Sequence, residues 1–265
     1  MINNWLTKQI LTNVEQWDNS LITFYPEAKV WMSDPQSYLT RLTVECNYLN
    51  AVKQLDWDKY IVESSTVLDV GCGGGWLTAY LSTNTKINKI MAIDSSINYL
   101  ENFLPAVVDQ LGGDISKVET IQGLFSPVLL EPGSVDLIVI SSALHHADGI
   151  SFVLEEFKRV LKPNGFLLIL NETPSSAVRY LYQISRAFLN ICFLTIFKKY
   201  KKYVQKISAG GFLTDPYLGD VDYAEWYWKK AISEAGFSLI NIHDSKMATV
   251  VNQKGPHLKH FICQK

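Results

Sequence analysis

The chain has 265 residues, 48% hydrophobic and 19% charged, which is enough apolar material for a buried core and excludes a disordered chain. Lys+Arg 24 against Asp+Glu 26 leaves a net charge of −2, so no global basic field exists to hold nucleic acid. Cys46, Cys72, Cys192 and Cys263 lie far apart with no Cys-x-x-Cys pair. That excludes a readable disulfide framework or zinc site and points to a reducing, cytoplasmic setting.

The N-terminus lacks a basic segment followed by an apolar run, which argues against a cleavable signal peptide. Residues 1–62 read as an aromatic helical cap, with Trp5, Trp17, Trp31, Tyr38 and Tyr48 among its rings. Apolar positions from Ser37 to Leu55 predict a helix carrying Tyr38 and Arg41. Val67–Val70 is a short apolar run that ends in a glycine turn, Gly71–Gly75, and Trp76–Leu81 resumes helical spacing. Lys89–Ile93, Val118–Gln122, Val135–Ile140 and Phe166–Leu170 are four more such runs. Helices are predicted between them at Asn98–Leu111, with Pro105 inside, and at Ser151–Leu161. Nearly all-apolar strands alternating with helices predict a parallel sheet covered on both faces, with ligands at the carboxyl ends of its strands.

Residues 174–216 break the rhythm. Val178–Phe197 is apolar and aromatic at helical spacing, so the expectation is a helical insertion acting as an acceptor lid. Ala224–Ala235 reads as a helix, and Phe237–His243 and His257–Gln264 as two final strands. The whole predicts a doubly wound, seven-stranded, mostly parallel sheet over residues 63–265. The longest strongly apolar stretch, Ala187–Phe197, is shorter than the roughly 20 residues that span a bilayer. Followed by Lys198–Lys202, residues 193–202 suit either a solvated helix end or a weak contact with an anionic membrane surface.

The glycine turn is neither Gly-x-Gly-x-x-Gly, since Trp76 takes the third position, nor a P-loop, which needs Gly-Lys-Ser/Thr. The turn as it stands, Gly71-Cys72-Gly73-Gly74-Gly75 with Asp69 two residues before, resembles the first motif of the class I S-adenosylmethionine-dependent methyltransferases. The likeness continues in order through Ile90–Ser96, Ser134–His146 and Leu154–Ile169. It implies S-adenosylmethionine as cofactor, a Rossmann-like fold and transfer of a methyl group. By that resemblance Gly71, Cys72 and Gly73 line the amino-acid part of the cofactor, Asp69 holds its ammonium, and Asp94 with Ser95 takes the ribose hydroxyls. A carboxylate, an acceptor only, suits a vicinal diol. Relatives with Gly-Asp after the third strand bind the adenine amino group with the acid. Here Gln122-Gly123-Leu124-Phe125 stands there, so Leu124 and Phe125 are expected to hold adenine by apolar contact. Ser141 falls near the methionine part.

His145 and His146 follow the fourth strand and titrate near neutrality, so either suits a general base; Glu172 and, more weakly, Asp148 are further candidates. Arg41 is a candidate for the cofactor carboxylate. No carboxylate triad is readable, so no metal is expected. The acidic pI and aromatic surroundings favour a small-molecule acceptor, methylated on oxygen or nitrogen, with no nucleic-acid partner. A macromolecular methyltransferase and a non-catalytic cofactor-binding module remain the alternatives. Oligomeric state is left open.

Overall fold

The computed structural model describes residues 2–7, 10, 30, 32–147, 149–197, 205–208, 210–215, 220–249 and 255–265. Trp17, Trp31, Asp148 and Lys198–Lys202 lie outside them. The chain opens on a short strand, β1 (Asn3–Asn4), and reaches α1 (Pro35–Thr40) and α2 (Tyr48–Val52). Then β2 (Ser65–Val70), α3 (Trp76–Ser82), β3 (Ile87–Asp94), α4 (Leu104–Gln110), β4 (Val118–Gln122), β5 (Val135–Ser141), α5 (Ile150–Val160) and β6 (Leu161–Glu172) alternate. The remainder is α6 (Ala177–Phe197), β7 (Gln205–Ser208), β8 (Gly211–Asp215), β9 (Asp220–Tyr223), α7 (Glu225–Glu234), β10 (Ser238–Asp244) and β11 (Lys259–Gln264).

One sheet runs β1-β4-β3-β2-β5-β6-β11-β10, parallel except for β11, which is antiparallel to both neighbours. The seven expected strands are present. The eighth, β1, pairs Asn3 and Asn4 in parallel with Ile121 and Gln122; two asparagines carry no apolar signal, so periodicity misses it. Strands β2, β3 and β5 are almost wholly buried because helices cover both faces. Phe157 of α5 and Trp228 of α7 belong to the core on one face; Leu77 of α3 and Leu104 of α4 belong to that on the other. The lone charge on β5, Asp136, accepts from the Thr66 N–H at 2.9 Å and from Lys162 Nζ at 2.8 Å, which satisfies it in place.

Three expectations change. The helix over 37–55 is broken: a wide π-type turn, Arg41–Glu45, follows α1, and Asn47, with φ of +61°, separates it from α2. Asn98–Leu111 likewise begins as a wide turn, Tyr99–Phe103, just before Pro105, whose missing N–H cannot close an ordinary helical turn. The insertion is only half helical. After α6 come β7, β8 and β9, a separate antiparallel sheet. Alternating side chains over four or five residues give a much weaker signal than the long apolar helix before them.

Phe157 is fully buried. Phe157→Ala should therefore cost about 3–5 kcal/mol of stability, measured as a lower urea midpoint with an unchanged slope.

Candidate functional site

β2 ends at Val70, and the chain turns through Gly71–Gly75 into α3. Gly71 and Gly73 have φ of +64° and +53°, where a side chain is costly. The space is closed too: a Cβ on Gly71 would stand 2.9 Å from the Ala143 Cβ, and one on Gly73 2.8 Å from the Tyr38 hydroxyl. The turn is fastened to the end of β3. The Gly73 N–H donates to Asp94 Oδ2 at 2.8 Å, and the Cys72 N–H to the Ile93 carbonyl at 2.9 Å. Asp94 Oδ1 accepts from the Ser96 N–H at 2.9 Å. Tyr38 accepts from the Gly74 N–H at 2.8 Å, which puts a phenol over the turn. Arg41 lies beside Glu45, with Nη1 to Oε2 at 2.9 Å.

Asp69 is buried beneath the turn and accepts from the Thr78 hydroxyl at 2.6 Å. Burial lifts its pKa to about 7, against the Thr78 hydrogen bond and with the help of the Asp94 charge. Burial, with Asp94 and Asp69 beside it, also pushes the Cys72 thiol well up; that disqualifies it as a nucleophile. Next to Asp94, the Gly123 N–H donates to the Asp94 carbonyl and Gln122 Nε2 to the Ser95 carbonyl. Leu124 is 36% exposed, and the Phe125 ring lies against Gly71. Trp5 packs by Gly123, within 3.4 Å of the position a Cβ would take. Leu124, Phe125 and Trp5 thus give the Asp94 end an apolar frame; β1 is what delivers Trp5.

The ends of β5 and β6 build the other half. Ser141 Oγ accepts from Asn171 Nδ2 at 2.9 Å, and the Ser142 hydroxyl lies 2.8 Å from that of Tyr48. Ser142 and Asn171 both adopt left-handed backbone, at φ +49° and +56°. Such non-glycine positions are costly and concentrate at functional sites. A 3₁₀ turn, Leu144–His146, follows Ala143. His145 Nδ1 lies 2.8 Å from Glu172 Oε2, and His146 Nδ1 lies 3.0 Å from Asp220 Oδ1. Glu172 is not a rim carboxylate: it ends β6 at 3% exposure, and its Oε1 has no hydrogen-bond partner among the described residues. Burial works against charge on His145, but Glu172, by charge and by hydrogen bond, and then Asp220 and Asp222 outweigh it and raise its pKa. Burial also opposes the Asp220 carboxylate, but the His146 hydrogen bond and both imidazoles hold its pKa down.

These groups face a cavity of about 170 Å³ lined by His145, Glu172, Arg179, Asp220, Asp222 and Trp228. Asp222 accepts from Arg179 Nε at 3.0 Å, from Gln183 Nε2 at 2.7 Å and from the Ser175 hydroxyl. His145, His146 and Asp220 bring ligand-capable atoms within 4.8 Å of one another, a set that can hold a metal ion. No metal was expected because the carboxylate comes from β9, far down the chain. Asp220, Asp222 and Asn171 carry no local signature. Tyr38 and Tyr48 showed only as cap aromatics.

The Asp69 carboxyl has a testable consequence. Between about pH 4 and pH 7 the unfolded chain ionises it while the folded protein keeps its proton, so the group subtracts stability as pH rises, completely so above 7. Asp69→Asn should raise the melting temperature at pH 8 by several degrees, at about 2–4 °C per kcal/mol, and leave it unchanged at pH 4. The check is a thermal melt at both pH values.

Residues 68–169 match a family described as a methyltransferase domain. Among curated proteins, the chain is 25% identical to the mitochondrial ubiquinone biosynthesis O-methyltransferase of Candida albicans, over 78% of this chain and 61% of that one. It is 26% identical to the demethylmenaquinone methyltransferase of Bacillus licheniformis, over 54% and 61%. The chain thus spans about six tenths of the length of these relatives. Among solved structures, a SAM-dependent methyltransferase from Aquifex aeolicus shares the fold, with a TM-score of 0.53 and 21% identity over 87% of this chain and 98% of that one. Ordered motifs, sheet order and these matches agree: residues 68–169 match a methyltransferase domain, on a fold shared with a SAM-dependent methyltransferase.

Proposed function

We propose that the protein moves a methyl group from S-adenosylmethionine to an oxygen or nitrogen of a small molecule held in the cavity beside His145. The observation that carries this reading is the part-buried His145–Glu172 pair at the carboxyl ends of β5 and β6, two residues from Ala143, which itself lies against the glycine turn. In that reading Asp94 and Ser95 take the ribose, Leu124 and Phe125 flank adenine, and the backbone of Gly71–Gly73 with Asp69 and Ser141 lines the methionine part. The relatives named for ubiquinone biosynthesis and for demethylmenaquinone support a small-molecule acceptor.

Methyl transfer from a sulfonium is an in-line displacement. The acceptor atom bonds the methyl carbon as the carbon–sulfur bond breaks, and the sulfur keeps that electron pair and loses its charge. The protein aligns acceptor and methyl and excludes water. A hydroxyl or protonated amine must also lose a proton. With Nδ1–H donated to Glu172, the Nε2 of His145 is the basic nitrogen that takes it, and Glu172 steadies the imidazolium that forms. His146, paired with Asp220, holds the neighbouring ring 4.2 Å away. A second reading rests on the convergence of His145, His146 and Asp220. A divalent cation there would bind the acceptor oxygen and lower its pKa.

His145→Gln should lower kcat about 10²–10⁴-fold and leave S-adenosylhomocysteine affinity unchanged, while Asp94→Ala should abolish that affinity; calorimetric titration and turnover check both. Turnover that survives EDTA supports the base. Turnover lost to EDTA and restored by a divalent ion supports the cation. The acceptor is found by transferring labelled methyl into a fractionated cell extract. Label in small molecules supports the proposal, and label in RNA or protein overturns it.

A further inference from the structure

Helix α6 wears its apolar face outward. Its inner side is pinned by Tyr180, whose ring lies 5.3 Å from Phe212 and meets Trp226 edge-on, and by the polar Gln183, buried on Asp222. The opposite stripe, made by residues that fall on one side of the helix at 3.6 residues per turn, is Val178, Leu181, Tyr182, Phe188 and Leu189, each 60–79% exposed. An amphipathic helix that packs on its own domain presents such a stripe to the core; here the stripe faces away from it. A cluster of large exposed apolar side chains on one helix face marks a docking site.

Charge identifies the occupant. From Ala177 to Thr214 the sequence holds seven basic residues (Arg179, Arg186, the four lysines of 198–202 and Lys206) and no Asp or Glu, in a chain whose net charge is −2. A second copy docked face to face would set this cationic segment against itself, because a two-fold interface repeats the same patch on both sides. An anionic surface complements it. An apolar stripe with basic residues beside it and a lysine cluster after it is the pattern of a helix that lies in the plane of a bilayer, its apolar side among the acyl chains and its cations at acidic headgroups. Among the described residues no helix is long and apolar enough to cross a membrane, so this contact lies on the surface.

We propose that the outward face of α6, in a stretch of sequence with seven basic residues and no acidic one, seats the protein on an anionic lipid bilayer. Arg179, in the first turn of α6, pairs with Asp222 and lines the cavity at His145 and Glu172, so the helix that carries the outward stripe also borders that cavity. The acceptor class follows, resting on the function proposed above: an amphiphile with an apolar tail kept in the bilayer and a polar head presented to His145.

The experiment is co-sedimentation of the full chain with vesicles of phosphatidylcholine containing 30% phosphatidylglycerol, and with pure phosphatidylcholine vesicles. The expected result is binding to the acidic vesicles at least tenfold tighter than to the neutral ones. Leu181→Asp with Phe188→Asp should lose it, as should Lys198→Glu with Lys199→Glu. All variants should keep wild-type S-adenosylhomocysteine affinity and melting temperature, which shows that they fold. Absence of sedimentation with acidic vesicles, equal binding by the apolar-face variant, or a wild-type dimer that Leu181→Asp dissolves would each overturn the proposal. S-adenosylhomocysteine binding and methyl transfer to a water-soluble acceptor test the function separately, so failure on vesicles leaves that reading standing.

Discussion

The bond from the Gly73 N–H to the Asp94 carboxylate joins the two central strands at the point where both stop. Because β2 and β3 are parallel and in register, Val70 stands beside Ile93, and the turn after the first meets the acid after the second. The geometry around the glycine turn follows from that junction. Gly71 and Gly73 must be glycine for the turn to pass under Ala143 and Tyr38, Asp69 is sealed below it, and Asp94 is fixed to the turn.

The acceptor side is organised differently. Its groups come from the ends of β5 and β6 and from β9 in the insertion, and they are held by one another rather than by a shared turn. Three carboxylates, Glu172, Asp220 and Asp222, surround two imidazoles and Arg179. This concentration of negative charge holds His145 toward its protonated form.

The parallel strands were legible because burial on both faces demands unbroken apolar runs, and the exception on β5, Asp136, is answered by Lys162 and the Thr66 N–H. The glycine turn was legible because backbone sterics narrow the choice of residue there. What failed to show are features set by partners distant in sequence. The two asparagines of β1 owe their strand to the open edge of β4. Glu172 was legible as a candidate base, but its burial shows only once β6 is seen to run to its end. Asp220 comes to His146 only through a small sheet whose strands are too short to announce themselves. The helix over 37–55 misled for another reason: apolar spacing does not record the wide turn at Arg41–Glu45 or the left-handed Asn47 that divides it.

The antiparallel strand β11 lies between β6 and β10, though it follows both in the chain. Its His260 accepts the Asn171 N–H at 3.0 Å, and burial brings its pKa down to about 4, so the ring stays neutral for that task. Lys259 of the same strand pairs in register with Glu172. During synthesis, the ribosome therefore releases β6 and β10 while the slot between them is still vacant. The backbone beneath Glu172 and Asn171 therefore has its last strand partner only once β11 has been made, and that corner of the sheet is the last to be completed.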